Sequence, residues 1–173
     1  LIRIVLNNSK KSLIPLEAEL EMLQLYLDME KLRFKDNFSY SVDMDGNIDP
    51  TTILIPPLLF QPFVENAVWH GLMHKTEPGI LNIKLNIENN VLICAIVDNG
   101  VGRAFAEVSQ SKSVQNQKSM GIQITRQRLA LINGKNDSEH NVFDIEDLYD
   151  DEGNASGTKV ILRIRYKEMT EDN

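Results

Sequence analysis

The sequence is poor in cysteine and contains no long apolar run. Its one cysteine, Cys94, lies in the apolar run Val91–Val97, where a buried and inert thiol is expected. A single cysteine excludes an internal disulfide, and with no signal peptide the expected setting is a reducing cytoplasm. No apolar run approaches the roughly 20 residues that span a bilayer, so we do not expect the chain itself to cross a membrane.

The sequence also lacks an excess of positive charge. Its 25 acidic and 18 basic residues give a formal net charge of −7, which argues against a nucleic-acid surface. The densest acidic cluster, Asp144 to Glu152, surrounds a predicted turn and is interpreted as a solvated rim. A polyanionic ligand would therefore need local donors, which glycine turns can supply.

The length of 173 residues and a hydrophobic content of 42% suit one compact domain with its own core. Helical periodicity predicts three helices: Glu17 to Phe34, Leu58 to Leu72 after Pro56-Pro57, and Gly121 to Ile132.

Alternation and turn signals predict five strands: Phe38 to Val42, Ile80 to Ile87, Val91 to Val97, Val142 to Leu148 and Thr158 to Tyr166. The polar stretch Arg103 to Ser119 has no periodicity and is predicted to be a mobile lid. Together these elements indicate an α+β fold, a two-layer sandwich of a mixed, largely antiparallel sheet with helices on one face.

Three segments in a fixed order carry the chemistry. They are Glu65-Asn66-Ala67-Val68-Trp69-His70-Gly71, Asp98-Asn99-Gly100-Val101-Gly102 and Ser119-Met120-Gly121-Ile122-Gln123-Ile124. An Asn on a helix offers a neutral oxygen to a hard cation, and paired glycines let backbone N–H groups approach a ligand closely. A glycine at a helix start adds free amides and the helix dipole for a phosphate. The set predicts a site for ATP with Mg²⁺.

In this order the segments resemble the catalytic ATP-binding domain of bacterial sensor histidine kinases, in the GHKL superfamily with its Bergerat ATP-binding fold. Gln61-Pro62-Phe63-Val64-Glu65-Asn66-Ala67 followed by His70-Gly71 is most similar to the LytS-type class. The likeness covers Leu13 to Tyr166. It implies three parts: residues 1–13 as the end of an upstream phosphoacceptor and dimerisation segment, 14–168 as the catalytic domain, and 169–173 as a tail.

The resemblance implies a role for each motif residue. Asn66 matches the amide that holds magnesium against the phosphates, and Asp98 matches the carboxylate that accepts from the adenine amino group. Gly100 and Gly102 match the turn that closes over the nucleotide. The plainer alternatives are a polar helix-flank residue for Asn66 and a strand-end turn former for Asp98.

Further positions complete the implied nucleotide site. Gly121 and Ile122 match the point where the lid rejoins a helix, and Thr158 matches a hydroxyl that reaches the adenine beside the carboxylate. His70 lies four residues after Asn66, on the same helical face, and matches a side chain that lines the base. A strand-opening Thr and a core histidine are the alternatives.

Three positions depart from the family pattern. Gln123 stands where a second glycine is common, Trp69 where a lysine is common, and Pro62 where a catalytic acid commonly precedes the Asn by four residues. Glu65 is the remaining acid for a catalytic role, although on an α-helix it faces about 100° away from Asn66.

The resemblance implies transfer of the ATP γ-phosphoryl group to a histidine on an upstream segment, for relay to a response regulator. His70, His74 and His140 do not match such an acceptor, so the chain is interpreted as a fragment that is inactive without it. The expected whole is a homodimeric inner-membrane receptor with this domain in the cytoplasm and no nucleic-acid partner. The alternatives are a nucleotide-binding regulatory or scaffold domain without transfer activity, and an ATP-hydrolysing clamp.

Overall fold

A computed structural model describes residues 12–35, 37–103, 121–130 and 142–169. Its centre is a five-stranded sheet with the strand order β2-β4-β5-β7-β6. The strands are β2 Phe38–Met44, β4 Gly79–Glu88, β5 Val91–Asp98, β6 Phe143–Tyr149 and β7 Ala155–Arg165. The predicted strands are confirmed, with ends that differ by a few residues.

The sheet is mixed, as predicted. Strand β2 pairs with β4 in parallel, and the other neighbouring strands are antiparallel. Strands β4 and β5 form the predicted hairpin, in which Asn89 and Asn90 have φ of 50° and 61°. Two consecutive left-handed residues are typical of the tight turns that match the twist of a hairpin.

One face of the sheet is covered by helices and the other is more open. Buried and half-buried residues alternate along β5, as expected for a strand with one core face. The core side includes Leu92, Cys94 and Ile96, so the thiol is buried as predicted, and its burial raises the pKa of Cys94. The α+β two-layer sandwich is thereby confirmed.

The first helix, α1, spans Leu16–Arg33 and turns Leu23 and Leu27 into the core. Two of its acidic residues are buried: Glu19 and Glu30 are 2% and 7% exposed. For Glu19 the physical reason is a set of backbone partners described below.

A small second sheet joins β1 Ile14–Pro15, β3 Ile53–Ile55 and β8 Lys167–Glu168, in the order β1-β3-β8. Strands of two or three residues carry too little periodicity to be predicted. In the part of the chain that the structure describes, no helix has the length and apolar character needed to cross a bilayer.

The second helix begins later than predicted. Residue Leu58 has φ of 57°, a left-handed value that ends any helical run there. Helix α2 therefore spans Gln61–Asn66, with Pro62 in its first turn. It continues as a π-helical segment, Ala67–Gly71, and a 3₁₀ turn, Leu72–His74.

The third helix, α3, is described over residues 121–130, where it follows the prediction. Its predicted end at Ile132 and the predicted lid from residue 104 to Ser119 lie outside the described residues. The acidic cluster covers the edge strand β6 and the turn that follows it, so the predicted turn is confirmed. Its carboxylates pair with bases: Asp144 with Arg163 at 2.7 Å and Glu146 with Lys159 at 3.3 Å.

Candidate functional site

The most unusual group of the described residues is the carboxylate of Asp98, at the end of β5. Its side chain is 5% exposed, and burial raises its pKa to about 6 although backbone N–H groups of Gly100 and Thr158 oppose the rise. The Gly100 N–H donates to Oδ1 at 2.8 Å. Burying a carboxylate is costly unless it gains strong partners, so this placement indicates a binding role.

Three glycines let the backbone come close to Asp98, two of them to its carboxylate and one to its backbone carbonyl. A Cβ on Gly71 would lie 2.8 Å from Asp98 Oδ1, and a Cβ on Gly100 would lie 2.7 Å from the same oxygen and overlap the backbone of Gly71. Gly157 has φ of 142°, and its Cβ would overlap the carbonyl oxygen of Asp98. The end of the π segment, the turn after β5 and the start of β7 therefore meet around one carboxylate.

The turn after β5 is fixed by hydrogen bonds to its neighbours. The Ile80 N–H donates to the Asn99 side-chain oxygen at 2.7 Å, and the Asn99 N–H donates back to the Ile80 carbonyl at 3.1 Å. The Val101 N–H donates to the Gly71 carbonyl at 3.2 Å. Gly102 has φ of 78°, which favours glycine there. Gly100 and Gly102 thus lie at the predicted turn beside Asp98.

The residues of α2 fall on two half-buried edges. Pro62 Cβ lies 4.0 Å from where a Gly121 Cβ would be, so its edge faces the start of the described part of α3. Helical spacing puts Asn66 one turn after Pro62 on this edge. His70 comes next along it, directly before Gly71, which lies against the Asp98 carboxylate. The edge therefore runs from Gly121 towards Asp98, and Asn66 and His70 are both half-buried on it.

The other edge of α2 faces α1. The Gln61 side chain donates to Glu65 at 2.7 Å, and the charge of Glu65 helps burial to raise the pKa values of Tyr26 and Glu30. Glu65 thus lies beside α1, on the edge away from Gly121.

Trp69 lies on the same edge as Glu65. Its ring is 5.4 Å from the Phe34 ring and 4.4 Å from the Arg33 guanidinium carbon. The side chain at position 69, where a phosphate-binding cation was noted as missing, therefore packs against the end of α1.

Helix α3 is anchored at several points. The Thr125 hydroxyl donates to the Gly121 carbonyl at 3.0 Å, Ile122 packs against the core, and Leu129 is fully buried. Arg126 covers the Phe143 ring at 4.1 Å, and Arg128 donates to the Pro57 carbonyl at 3.1 Å. Arg126 thus stacks on an aromatic ring, and Arg128 makes a hydrogen bond to the backbone before α2.

Thr158 lies opposite Asp98 in the β5–β7 register and opposite Asp147 in the β6–β7 register. Arg103, at the start of the predicted lid, binds Asp147 through two nitrogens, each at 2.7 Å. This bidentate bond lowers the pKa of Asp147. Arg103 is thus attached to β6, the strand next to the one that carries Thr158.

Two features of the site were missed by sequence reasoning. Gly71 was noted only as part of a motif, and its close approach to Asp98 is a tertiary contact without a local signal. The burial of Glu19 has no sequence signal either, because helical periodicity cannot distinguish an exposed carboxylate from one that binds backbone N–H groups.

Comparisons with known proteins identify relatives and structural neighbours of the chain. The family model for histidine kinases matches residues 1–38. The chain is 42% identical over 94 residues to the sensor protein LytS of Oceanobacillus iheyensis, covering 54% of this chain and 16% of that protein. It is 26% identical over 167 residues to LytS of Staphylococcus saprophyticus, covering 96% of this chain and 27% of that one. The chain thus spans between a sixth and about a quarter of these relatives.

Solved structures give the same fold. The histidine kinase domain of the Erythrobacter litoralis EL346 blue-light activated kinase has a TM-score of 0.56 at 15% identity, covering 94% of this chain and 74% of that one. Full-length ShkA in complex with AMPPNP has a TM-score of 0.59 at 13% identity, covering 98% of this chain and 35% of that one.

The resemblance predicted from the motifs is confirmed: the chain is a relative of the LytS sensor proteins and has the fold of histidine kinase catalytic domains. These likenesses support a kinase function.

Proposed function

We propose that this chain contains the ATP-binding catalytic domain of a two-component sensor histidine kinase, formed by residues 14–168. The buried carboxylate of Asp98, surrounded by Gly71, Gly100 and Gly157, is the observation that carries the proposal. An ionised carboxylate accepts hydrogen bonds and donates none, so this pocket favours a ligand with an exposed N–H donor.

Adenine fits this requirement. Its exocyclic amino group donates to a carboxylate, whereas guanine would turn a carbonyl oxygen towards Asp98 and be repelled. The glycines let the surrounding backbone pack tightly on Asp98 and hold its carboxylate in place, and the Thr158 hydroxyl would bind the base from the neighbouring strand. His70 would line the base. The complex of a structural neighbour with AMPPNP, an ATP analogue, supports the same class of ligand.

The phosphates would extend from Asp98 towards Gly121 and Ile122, along the edge of α2 that carries Asn66. In the described ranges, no three His, Cys, Asp or Glu side chains are grouped to hold a metal. A Mg²⁺ ion would therefore take most ligands from phosphates and water, with the Asn66 amide oxygen as the protein ligand. Bound Mg²⁺ would neutralise charge on the transferring phosphoryl group.

The chain's own contribution to transfer would be mainly positioning. Asp98, Gly100 and Gly102 orient the base end, and Asn66 and Gly121 orient the phosphates so that an acceptor imidazole can attack in line. The acceptor would lie on a segment upstream of residue 14, in a homodimeric receptor at the inner membrane with this domain in the cytoplasm. The phosphoryl group would pass to a response regulator.

A catalytic role for Glu65 stays a prediction. Its contact with Gln61 and its influence on Tyr26 and Glu30 favour a role in holding α2 against α1. If Glu65 polarises the acceptor, Glu65→Gln in the full-length sensor would lower the transfer rate on the order of 10²-fold with ATP affinity nearly unchanged.

Calorimetry with Mg²⁺-ATP tests the binding proposal. Asn66→Ala should weaken ATP binding in the presence of Mg²⁺ and leave the weaker metal-free binding nearly unchanged, because it removes only the metal ligand. Asn82→Ala, on β4 away from α2, is the matched control. No ATP binding by the wild-type chain would overturn the proposal.

A regulatory domain that binds ATP without transferring it is the second candidate. The exposed Gln123 in place of a glycine and the position of Glu65 beside α1 favour it. ATP binding by a full-length sensor that never becomes labelled would select this candidate.

A further inference from the structure

The carboxylate of Glu19 is the most strongly bonded acidic group of α1. The N–H groups of Leu58 and Leu59 donate to its two oxygens at 2.7 Å each, and the Phe60 N–H donates at 3.1 Å. Glu19 is 2% exposed. These three residues immediately precede α2, so Glu19 accepts from the buried backbone donors of the turn that leads into the helix.

Glu19 also compensates for a strained turn. Leu58 has φ of 57°, a conformation that costs a branched residue energy and persists only when its surroundings hold it. The left-handed residue turns three successive N–H groups towards one carboxylate. The direction in which α2 leaves this turn, and with it the position of Asn66, depends on that carboxylate.

Arg128 brings helix α3 to the same turn. Its guanidinium donates to the Pro57 carbonyl at 3.1 Å and lowers the pKa of Glu19 against the larger, opposite effect of burial. The carboxylate of α1, the Pro57–Phe60 turn and the guanidinium of α3 form one cluster, here called the α1–α2–α3 clamp. The family model for histidine kinases ends at residue 38, so the clamp joins that segment to the elements that carry Asn66 and Gly121.

We propose that Glu19 is a positioning residue for the nucleotide site: through the clamp it fixes α2 and α3 relative to α1, so that displacement of α1 changes nucleotide affinity. This proposal rests on the proposed function, because its effect is measured as a change in ATP binding. None of the clamp residues is among the residues proposed to hold the nucleotide. A change at Glu19 alters affinity by moving Asn66 and Gly121.

Glu19→Gln tests the clamp with little change in shape. The amide keeps one acceptor oxygen for Leu59 and Phe60, turns an N–H₂ group towards the Leu58 N–H, and removes the charge near Arg128. We expect ATP binding to weaken roughly tenfold or more, as for the loss of charge-assisted hydrogen bonds. Amide exchange at Leu58, Leu59 and Phe60 should accelerate, and so should exchange at residues 121–130.

Two control variants separate positioning from general destabilisation. Glu21→Gln removes an exposed charge from the same helix and should change neither binding nor exchange. Leu85→Ala, a buried change on β4, should lower stability while a folded sample binds ATP with wild-type affinity. A double-mutant cycle of Glu19→Gln with Arg128→Met should show coupling in ATP affinity.

Wild-type ATP affinity in folded Glu19→Gln, with faster exchange only at Leu58–Phe60, would overturn the proposal and leave Glu19 as a structural cap. Absence of ATP binding by the wild-type chain would contradict the proposed function instead. In that case amide exchange tests whether the clamp couples the helices. Faster exchange at residues 121–130 in Glu19→Gln supports coupling between α1 and α3, and unchanged exchange there overturns it.

Discussion

Asp98 shows how one buried group sets a pH dependence of stability. Its folded pKa of about 6 lies above the ordinary value of 3.8 because burial disfavours the charge. Its stabilising contribution is therefore fully present below pH 3.8 and is lost as pH rises through 6. At neutral pH the carboxylate of the free domain is ionised and buried, and the free-energy cost of burying that charge reduces stability.

We predict that the difference in unfolding free energy between wild type and Asp98→Asn changes between pH 4 and pH 7, by about 3 kcal/mol at most for the shift from 3.8 to about 6. The change should favour the variant at the higher pH, because Asn carries no charge to bury. Urea denaturation of both proteins across this range measures it. A pH-independent difference would contradict the raised pKa.

Gly157 tests the close approach of β7 to the carboxylate. We predict that Gly157→Ala lowers stability by about 2–4 kcal/mol, because a Cβ there combines strained backbone with overlap of the Asp98 carbonyl. Gly153→Ala is the matched control: its φ is 83°, but no atom lies within 4 Å of the added Cβ, so only about 1 kcal/mol is expected. Equal losses in thermal or urea unfolding would show that the contact with Asp98 is unimportant.

The sequence predicted Asn66, Asp98, Gly100 and Gly102 as site residues because their proposed chemistry is tied to short motifs. It could not predict the contacts of Gly71 and Glu19. Their roles depend on contacts across 27 and 39 residues of sequence, to Asp98 and Leu58.

At the scale of elements, α2 has two edges with different tasks. The edge of Pro62 and Asn66 faces Gly121, and the edge of Glu65 and Trp69 faces α1. The π segment begins directly after Asn66 and brings Gly71 against the turn after β5. Such insertions of helical register often lie at functional sites.

This division predicts the behaviour of Trp69. Trp69→Ala should cost about 2 kcal/mol of stability, through lost contact with Phe34 and Arg33, while ATP affinity of the folded protein changes little. Trp69→Lys should likewise not improve affinity, because position 69 faces α1. Calorimetry combined with urea unfolding checks both, and tighter ATP binding by Trp69→Lys would contradict the assigned edge.

The sequence predicts which helices and strands are present better than it predicts where each begins and ends. The hairpin of β4 and β5 followed from alternation and Asn89-Asn90, which are local. The start of α2 was predicted three residues early because apolar content at Leu58–Phe60 suggested a helix. Leu58 is instead left-handed, and a carboxylate of α1 binds the N–H groups of these three residues.

At the scale of the whole molecule, Asp98 at the end of β5 and Thr158 near the start of β7 lie side by side at one end of the central strands. The fold followed from the sequence because the strand periodicity, glycine turns and helical segments agree with one another. The small second sheet did not, since its strands of two or three residues are stabilised only by tertiary pairing. Asn66, Asp98, Gly100 and Gly121 then lie on separate elements around one end of the sheet.

The present chain should not label itself when incubated with γ-labelled ATP, because the proposed acceptor histidine lies outside it. Retention of label on this chain after denaturation would contradict that assignment. Replacement of His140 or His74 is the check. Neither is the proposed acceptor, so each replacement should leave any background labelling unchanged.

Labelling of the full-length sensor tests the central claim of phosphoryl transfer most directly. With γ-labelled ATP and Mg²⁺, the account predicts label on a histidine upstream of residue 14, stable to base and lost in acid as a phosphoramidate is. Asp98→Asn and Asn66→Ala should each reduce the initial rate of labelling, while Asn82→Ala should not. A full-length sensor that binds ATP, is folded and dimeric, and still acquires no acid-labile label would contradict the account.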